Sequence, residues 1–245
     1  GTGSECQSFA LIADNATHQK MACGDPKAMA KVAILDPELT LSQPPRVTAC
    51  TGIDAIAHAV ETAVTRKRNE TSLKYSRAAF QMMLENFSLV LESPDDLPTR
   101  GQMLLGAAYA GTAIEHSMLG AAHSAANPLT AHYNVVHGQA VGMMLPHVVR
   151  FNAADETIAD GYAALVKDTA VASSNGTLSA EALAQAMEAL LDSANLPRAL
   201  AQCGVEEAQL ETLSGEAAQQ WTASFNPRDI TAADFTGLYQ KAFAS

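Results

Sequence analysis

Residues 52–61 read Gly-Ile-Asp-Ala-Ile-Ala-His-Ala-Val-Glu, an apolar helical sequence that carries a carboxylate and an imidazole. Asp54 and His58 are four positions apart, so on a helix their side chains project side by side, one turn apart. An oxygen and a nitrogen placed in this way can converge on one ion. Asp54 also stands between Ile53 and Ala55, where burial of an unpaired carboxylate is costly. The pattern therefore predicts a buried helix that carries half of a metal site.

Helical periodicity extends outward from this stretch through most of the chain. Pro45 suits the first turn of a helix, whereas neither Pro44 nor Pro45 suits a helix interior. Apolar spacing, caps and loop residues then predict a series of helices. Their expected ranges are about 45–65, 70–91, 97–116, 121–133, 136–151, 154–172, 179–193, 205–220 and 231–243.

The chain before Pro44 has a different pattern. Two short apolar runs bounded by turn residues, Ser8–Ala13 and Lys31–Asp36, predict strands, and residues 14–17 predict a turn that leads to residues 20–22. So little sheet would leave exposed strand edges, which proteins normally avoid. The expected fold class is mainly α, with a short α/β start that resembles the end of a larger domain.

Composition excludes several classes of function. The chain has 245 residues, 48% of them hydrophobic, with a formal net charge of -11 and a pI near 5.0. Nucleic acids and anionic membranes require clustered Lys and Arg, so neither is an expected partner. The sequence shows no transmembrane run and no signal peptide, and a cytoplasmic location fits the pattern. Four scattered cysteines form no CxxC pair, which predicts free thiols: Cys6, Cys23, Cys50 and Cys203.

Two further histidines complete a candidate ligand set. Asp54, His58, His123 and His137 offer one carboxylate and three imidazoles, a combination that suits Fe(II), Zn(II) or a similar divalent ion. Each histidine alone is more simply explained as a capped or packed residue. The residues do not decide between iron and zinc.

Several motifs, in order and spacing, resemble one family. Gly1–Glu5 reads Gly-Thr-Gly-Ser-Glu, and residues 33–40 read Ala-Ile-Leu-Asp-Pro-Glu-Leu-Thr. Residues 51–61 contain the Asp-x-x-x-His pair, and residues 123–129 read His-Ser-Ala-Ala-Asn-Pro-Leu, followed by Val-His-Gly at 136–138. Together they resemble the iron-containing (group III) alcohol dehydrogenases, closely over about residues 1–152.

The resemblance implies an architecture and a reaction. Residues 1–43 would be the C-terminal remnant of a dinucleotide-binding α/β domain, and residues 44–245 an all-helical, metal-binding catalytic domain. The ion, usually iron, would act as a Lewis acid on the oxygen of a small alcohol or aldehyde substrate while hydride passes between carbon and NAD or NADP. The ligands implied by the match are Asp54, His58, His123 and His137. Positions that line the cofactor cleft by the same match are Thr2, Gln7, Phe9, Lys20 and Leu39.

The sequence also departs from the family. Asn127 stands where relatives often have a histidine, and an amide cannot titrate near neutrality. His116 replaces a residue that is commonly Asn and is interpreted as a pocket residue or a helix cap. His132 and His147 are expected to be structural groups, or groups that support a ligand, rather than ligands themselves.

The family's Gly-rich pyrophosphate loop and its ribose-binding acid are not found in this sequence. We therefore expect the chain alone to have little or no dehydrogenase activity. Two alternatives stay open: a non-catalytic, metal-binding helical module, and an enzyme of the related glycerol dehydrogenase or dehydroquinate synthase type. The oligomeric state is open too, with a homo-oligomer as one alternative.

Overall fold

A two-stranded antiparallel hairpin opens the chain. β1 (Phe9–Ala13) pairs with β2 (Lys20–Gly24), and the register places Phe9 opposite Gly24. The structure is a computed structural model that describes residues 1–14, 20–171 and 180–244. The first predicted strand is therefore confirmed, while most of the turn predicted at residues 14–17 lies outside the described residues.

The second predicted strand, Lys31–Asp36, is wrong. These residues form no regular element, and the partner of β1 is β2 instead. Val32 is 78% exposed and Ile34 is 88% exposed, so this apolar run packs on little of the described chain. An apolar run predicts that a strand is favourable, but a strand forms only where a neighbouring edge supplies its hydrogen bonds.

Apart from short 3-10 turns, α-helices account for the rest of the regular structure in the described residues, and the predicted fold class is confirmed. They are α1 (Pro45–Thr62), α2 (Glu70–Glu92), α3 (Leu97–Glu115), α4 (Ala121–Tyr133), α5 (His137–Asn152), α6 (Glu156–Val166), α7 (Ala180–Ser193), α8 (Leu210–Gln219) and α9 (Ala232–Phe243). Two predicted ranges were too long. The helix expected at 154–172 is the shorter α6, and the one expected at 205–220 begins only at Leu210, after a 3-10 turn.

Side-chain caps explain where several helices begin. Asn69 and Ser72 form a reciprocal capping box at the start of α2, and Asp96 accepts a hydrogen bond from the Thr99 amide at the start of α3. Asp155 accepts from the Thr157 and Ile158 amides, which starts α6 at Glu156. Such caps satisfy amides that have no partner inside the helix.

α1 is the central helix of the domain. Every residue from Gly52 to Thr62 is buried, because α2, α3 and α5 pack around it. Gly52 allows this packing, since a Cβ there would lie 2.8 Å from the ring of Phe87 on α2. The polar residues of α1 between Gly52 and Thr62 are consequently held in the interior of the protein, where water does not satisfy them.

None of the helices in the described ranges has both the length and the apolar character needed to cross a membrane.

Candidate metal centre

One face of α1 carries the first half of the site. Asp54, His58 and Glu61 occupy positions i, i+4 and i+7 of this helix, and all three are about 95% buried. At this spacing their side chains lie along one stripe. The predicted pairing of Asp54 with His58 on one helical face is therefore present.

The second half comes from α4 and α5. His123 is in the first turn of α4, and His137 is the first residue of α5. Asn134 ends α4 in the left-handed conformation, with φ 52°, and so allows the chain to reverse within a few residues. The short reversal brings the start of α5 back toward α1.

The helices meet most closely at Gly138. A Cβ at this position would lie 2.0 Å from the Cys50 carbonyl oxygen and 3.1 Å from Asp54 Cβ. Only glycine permits so close an approach of α5 to α1. The neighbouring His137 is thereby placed beside Asp54.

Three imidazole nitrogens surround a single carboxylate oxygen. The Oδ1 atom of Asp54 lies 3.3 Å from His123 Nε2, 3.6 Å from His58 Nε2 and 3.8 Å from His137 Nε2. Four ligand atoms bound tetrahedrally to one zinc-like ion at about 2.1 Å lie roughly 3.4 Å from one another. The observed separations are close to those that such an ion requires.

Two of these atoms are buried without a hydrogen bond. Among the described residues, neither Asp54 Oδ1 nor His123 Nε2 has a partner in acceptable geometry, although they are near neighbours. A buried carboxylate oxygen without a partner is unfavourable by several kcal/mol, on the order of the cost of desolvating a charge. A divalent cation at their common centre would satisfy both, so the donor set fits the ion. Asp54, His58 and His123 also form a compact group, with one possible ligand atom from each all within 4.8 Å of one another.

Charges within the site move the pKa values in different directions. Burial, the largest influence, raises the pKa of Asp54, but the surrounding imidazoles outweigh it and hold the net pKa below its usual value. Burial lowers the pKa of His58 to about 4, so this ring is neutral at pH 7. Burial also opposes a charge on His123, yet the adjacent Glu61 and Asp54 carboxylates outweigh it and raise the pKa to about 9. Without a cation, His123 therefore holds a proton that a bound ion would displace.

A cavity of about 160 Å³ lies beside the four predicted ligands. Its wall includes three of the five positions predicted to line the cofactor cleft, Thr2, Gln7 and Phe9. Leu39 lies in the wall of a different cavity of about 330 Å³, together with Gly1. Lys20 belongs to β2, but its side chain lies outside the described residues.

The N-terminal loop is fixed against α3 at the edge of this cavity. Gly3 has φ 83° and touches Gly111, so that a Cβ on either residue would lie within 3 Å of the other's backbone. The Glu115 carboxylate accepts hydrogen bonds from the amide and the hydroxyl of Ser8, each at 2.8 Å. These contacts hold Thr2 and Gln7 near the histidines.

Other histidines lie elsewhere. His116 is the exposed cap residue of α3, and its carbonyl accepts a 2.6 Å hydrogen bond from Asn69. His132 pairs with Glu216 at 2.8 Å on the surface. His147 is buried, and its desolvation lowers its pKa to about 4. The three side chains take no part in the wall of the 160 Å³ cavity.

Several residues of the site were not predicted. Glu61 contacts His123, while Ile114, Met118, Leu119, Trp221 and Thr222 line the cavity. Glu61 could have been found, because it lies three positions after His58 and so on the same side of the helix. Trp221 and Thr222 belong to a 3-10 turn late in the chain, and no spacing connects them to α1.

Asn127 also lines the cavity, one turn after His123. Its amide nitrogen donates to Gln220 Oε1 at 3.0 Å, and its buried Oδ1 has no partner among the described residues. The side chain of Asn127 thus offers the cavity a neutral hydrogen-bond acceptor.

Fold and site together define a helical domain with a candidate divalent-metal centre at the wall of a ligand-sized cavity. Residues 48–243 match the sequence profile of the Fe-containing alcohol dehydrogenase family, C-terminal. The chain is 30% identical over 242 residues to the NAD-dependent methanol dehydrogenase of Bacillus methanolicus, covering 99% of this chain and 64% of that protein. It is 30% identical over 252 residues to long-chain-alcohol dehydrogenase 1 of Geobacillus thermodenitrificans (strain NG80-2), covering 100% of this chain and 62% of that one.

A solved structure agrees with the sequence matches. The crystal structure of a 1,3-propanediol oxidoreductase superposes with a TM-score of 0.90 at 27% identity, over 99% of this chain and 64% of that one. The chain belongs to the Fe-containing alcohol dehydrogenase family and corresponds to its C-terminal region. The resemblance inferred from the motifs is confirmed, and the chain spans somewhat less than two thirds of the length of these relatives.

Proposed function

We propose that this chain is the metal-binding, substrate-binding part of an oxidoreductase that interconverts an alcohol and an aldehyde or ketone with NAD or NADP. The observation that carries the proposal is the set of three imidazole nitrogens 3.3 to 3.8 Å from one buried carboxylate oxygen, at the wall of a small cavity. Membership in the family supports the same reaction class.

The proposed ligands are Asp54, His58, His123 and His137, with Fe2+ as the expected ion and Zn2+ as the alternative. When bound, the ion supplies Lewis-acid chemistry to the oxygen of the substrate. Burial of Asp54 and His123 lowers the effective dielectric constant around the centre, so that electrostatic interactions there are stronger than at the surface. The neutral ring of His58 has a lone pair available for a cation without loss of a proton.

The cavity wall favours a neutral substrate. Apolar side chains of Ile114, Met118 and Leu119 form part of the wall, and within the part of the chain that the structure describes no Lys or Arg lines it. A carboxylate or phosphate on the substrate would find no cationic partner there among the described side chains. We therefore propose a short, uncharged alcohol as the substrate class.

The cofactor is proposed to approach from the N-terminal loop. Thr2, Gln7 and Phe9 border the cavity on this side, which supports their assignment as cofactor-lining residues.

Residues 1–43 are proposed to belong to a dinucleotide-binding α/β domain, and residues 44–245 to the catalytic helical domain. The exposed apolar side chains of Val32 and Ile34 support this division, because they offer a surface for further sheet or helix. The proposed location is the cytoplasm, where the four free thiols would stay reduced.

Metal titration tests the proposal. We expect the purified chain to bind one Zn2+ or Fe2+ in isothermal titration calorimetry, the Fe2+ arm under anaerobic conditions. Asp54→Asn should weaken this binding at least about tenfold, because the shared anionic ligand is lost. Asp229→Asn is the control, since Asp229 pairs with Arg66 on the surface and its variant should bind the ion as the unsubstituted chain does. Absence of binding by the unsubstituted chain would contradict the proposal.

Chelation distinguishes a catalytic ion from a structural one. The alternative function is a non-catalytic helical module whose ion holds the fold together. A structural ion is strongly coupled to folding, so its removal should reduce the helical circular dichroism signal. We expect the signal to survive chelation, because the core around α1 is formed mainly by apolar side chains.

A further inference from the structure

The buried carboxylate of Glu61 lies next to the proposed metal centre, and each of its two oxygens makes a polar contact. Its Oε2 lies 2.5 Å from His123 Nδ1, and its Oε1 accepts a 2.8 Å hydrogen bond from the Ala122 amide. The side chain is 5% exposed. The carboxylate therefore contacts the ring of His123 and the backbone of the residue before it.

The two contacts fix the orientation of the carboxylate and the protonation of the ring. The Ala122 amide can only donate, so it holds Oε1 in place. A carboxylate oxygen accepts, so Nδ1 of His123 is the donor in this contact and carries a hydrogen. A neutral imidazole with hydrogen on Nδ1 has its lone pair on Nε2. Nε2 is the atom that lies 3.3 Å from Asp54 Oδ1.

The start of α4 is held in the same place by a second contact. The Asn226 side-chain oxygen accepts from the Ala121 amide at 3.4 Å. A Cβ at Gly120 would lie 3.2 Å from both Glu61 Oε1 and Asn226 Oδ1, so the space around this turn is filled. His123 is therefore fixed through its ring and through the backbone that carries it.

We propose that Glu61 is a positioning residue that sets the tautomer and the ring orientation of His123, and thereby the affinity of the centre for divalent cations. The inference rests on the proposed function, because it requires His123 to be a ligand. Glu61 contacts Nδ1 of the ring, whereas Nε2 is the atom that faces Asp54.

Glutamine is not equivalent to glutamate at this position. An amide has one acceptor, whereas the position presents two donors, the Ala122 amide and His123 Nδ1. If the glutamine oxygen faces Ala122, its NH2 group faces Nδ1 and favours the tautomer with hydrogen on Nε2, which blocks the lone pair. If the oxygen faces Nδ1, the NH2 group faces a backbone donor.

Calorimetric titration with Zn2+ tests the proposal. We expect Glu61→Gln to weaken Zn2+ binding about 10- to 100-fold. Glu216→Gln is the matched control, because Glu216 forms the same type of pair with His132 on the surface. The Zn2+ affinity of the Glu216→Gln chain should equal that of the unsubstituted chain. A Glu61→Gln chain that binds Zn2+ as the unsubstituted chain does would overturn the proposal.

A double-mutant cycle separates positioning from a general structural role. If Glu61 acts through His123, Glu61→Gln should have little further effect on Zn2+ affinity in a His123→Ala background. An equal loss in both backgrounds would overturn the proposal. Failure of the unsubstituted chain to bind Zn2+ would instead contradict the proposed function.

Nitrogen NMR of the unsubstituted chain tests the same proposal without a variant that could fail to fold. In the Zn2+-loaded chain with 15N-labelled histidine, we expect His123 to carry its hydrogen on Nδ1 and to bind through Nε2. A hydrogen on Nε2 in the loaded chain would overturn the proposal.

Discussion

A methyl group added at position 138 should separate the two helices that carry Asp54 and His137. The Cβ of an alanine there would lie 2.0 Å from the Cys50 carbonyl oxygen, whereas ordinary contacts begin at 3.4 Å. The backbones must therefore move apart by about 1.4 Å, the difference between these two distances. Neither helix can relieve the contact by a side-chain rotation, because the opposing atom belongs to the backbone.

This displacement exceeds what a metal centre accepts. Functional groups must be held within about 0.5 Å of their productive positions. We expect Gly138→Ala to weaken Zn2+ binding at least about tenfold and to lower the free energy of unfolding by roughly 1–3 kcal/mol. Calorimetry and urea unfolding of the metal-free chain measure the two effects separately.

Gly237→Ala is the matched control. Gly237 lies within α9, and a Cβ there meets nothing within 4 Å. The same chemical change should stabilise the chain by about 0.4–1 kcal/mol and leave Zn2+ binding unaffected. If Gly138→Ala binds Zn2+ as tightly as the Gly237→Ala chain, the close approach of α5 to α1 does not set the geometry of the site, and the reasoning is refuted.

Three further results are expected. The metal-free chain should lose stability as the pH falls from about 6.5 to about 4, because burial lowers the pKa values of both His58 and His147 to about 4 and only the unfolded chain takes up these protons in this window. His147 should contribute roughly 3 kcal/mol of this loss. Urea unfolding at several pH values measures the loss, and His147→Asn should reduce it by the share of His147. In Asn127→His, the alcohol affinity of the Co2+-loaded chain should change between about pH 5 and 8, because an imidazole titrates in this range and an amide does not. Visible absorption of the bound Co2+ follows the affinity, and the change should exceed any change in the unsubstituted chain. Identical pH profiles for the two chains would contradict this expectation. The chain by itself should show little or no turnover with an alcohol and NAD(H) or NADP(H), and clear turnover would show that a separate dinucleotide-binding domain is not required.

The helices could be predicted because their signals are local. Asn69, Asp96 and Asp155 cap α2, α3 and α6 through contacts within three residues, so the sequence contains the whole interaction. The strand expected at Lys31–Asp36 could not be judged in the same way, because a strand depends on a partner that the apolar run does not specify. α8 began later than expected because a 3-10 turn at Glu207–Gln209 precedes it.

The site was partly predictable for the same reason. Asp54 and His58 are related by one helical turn, and the motifs around His123 and His137 supplied the remaining two positions. Glu61 was not predicted, because a glutamate near the end of a helix is usually solvated. It contacts His123 only because the start of α4 packs against α1. Trp221 is brought to the cavity by tertiary packing alone.

Anomalous X-ray diffraction from crystals soaked in Zn2+ and measured at the zinc edge tests the central claim most directly. We expect one strong peak about 2.0–2.2 Å from Asp54 Oδ1 and from the Nε2 atoms of His58, His123 and His137. A peak bound to other residues, or none at this position when the soak is saturating, would contradict the account.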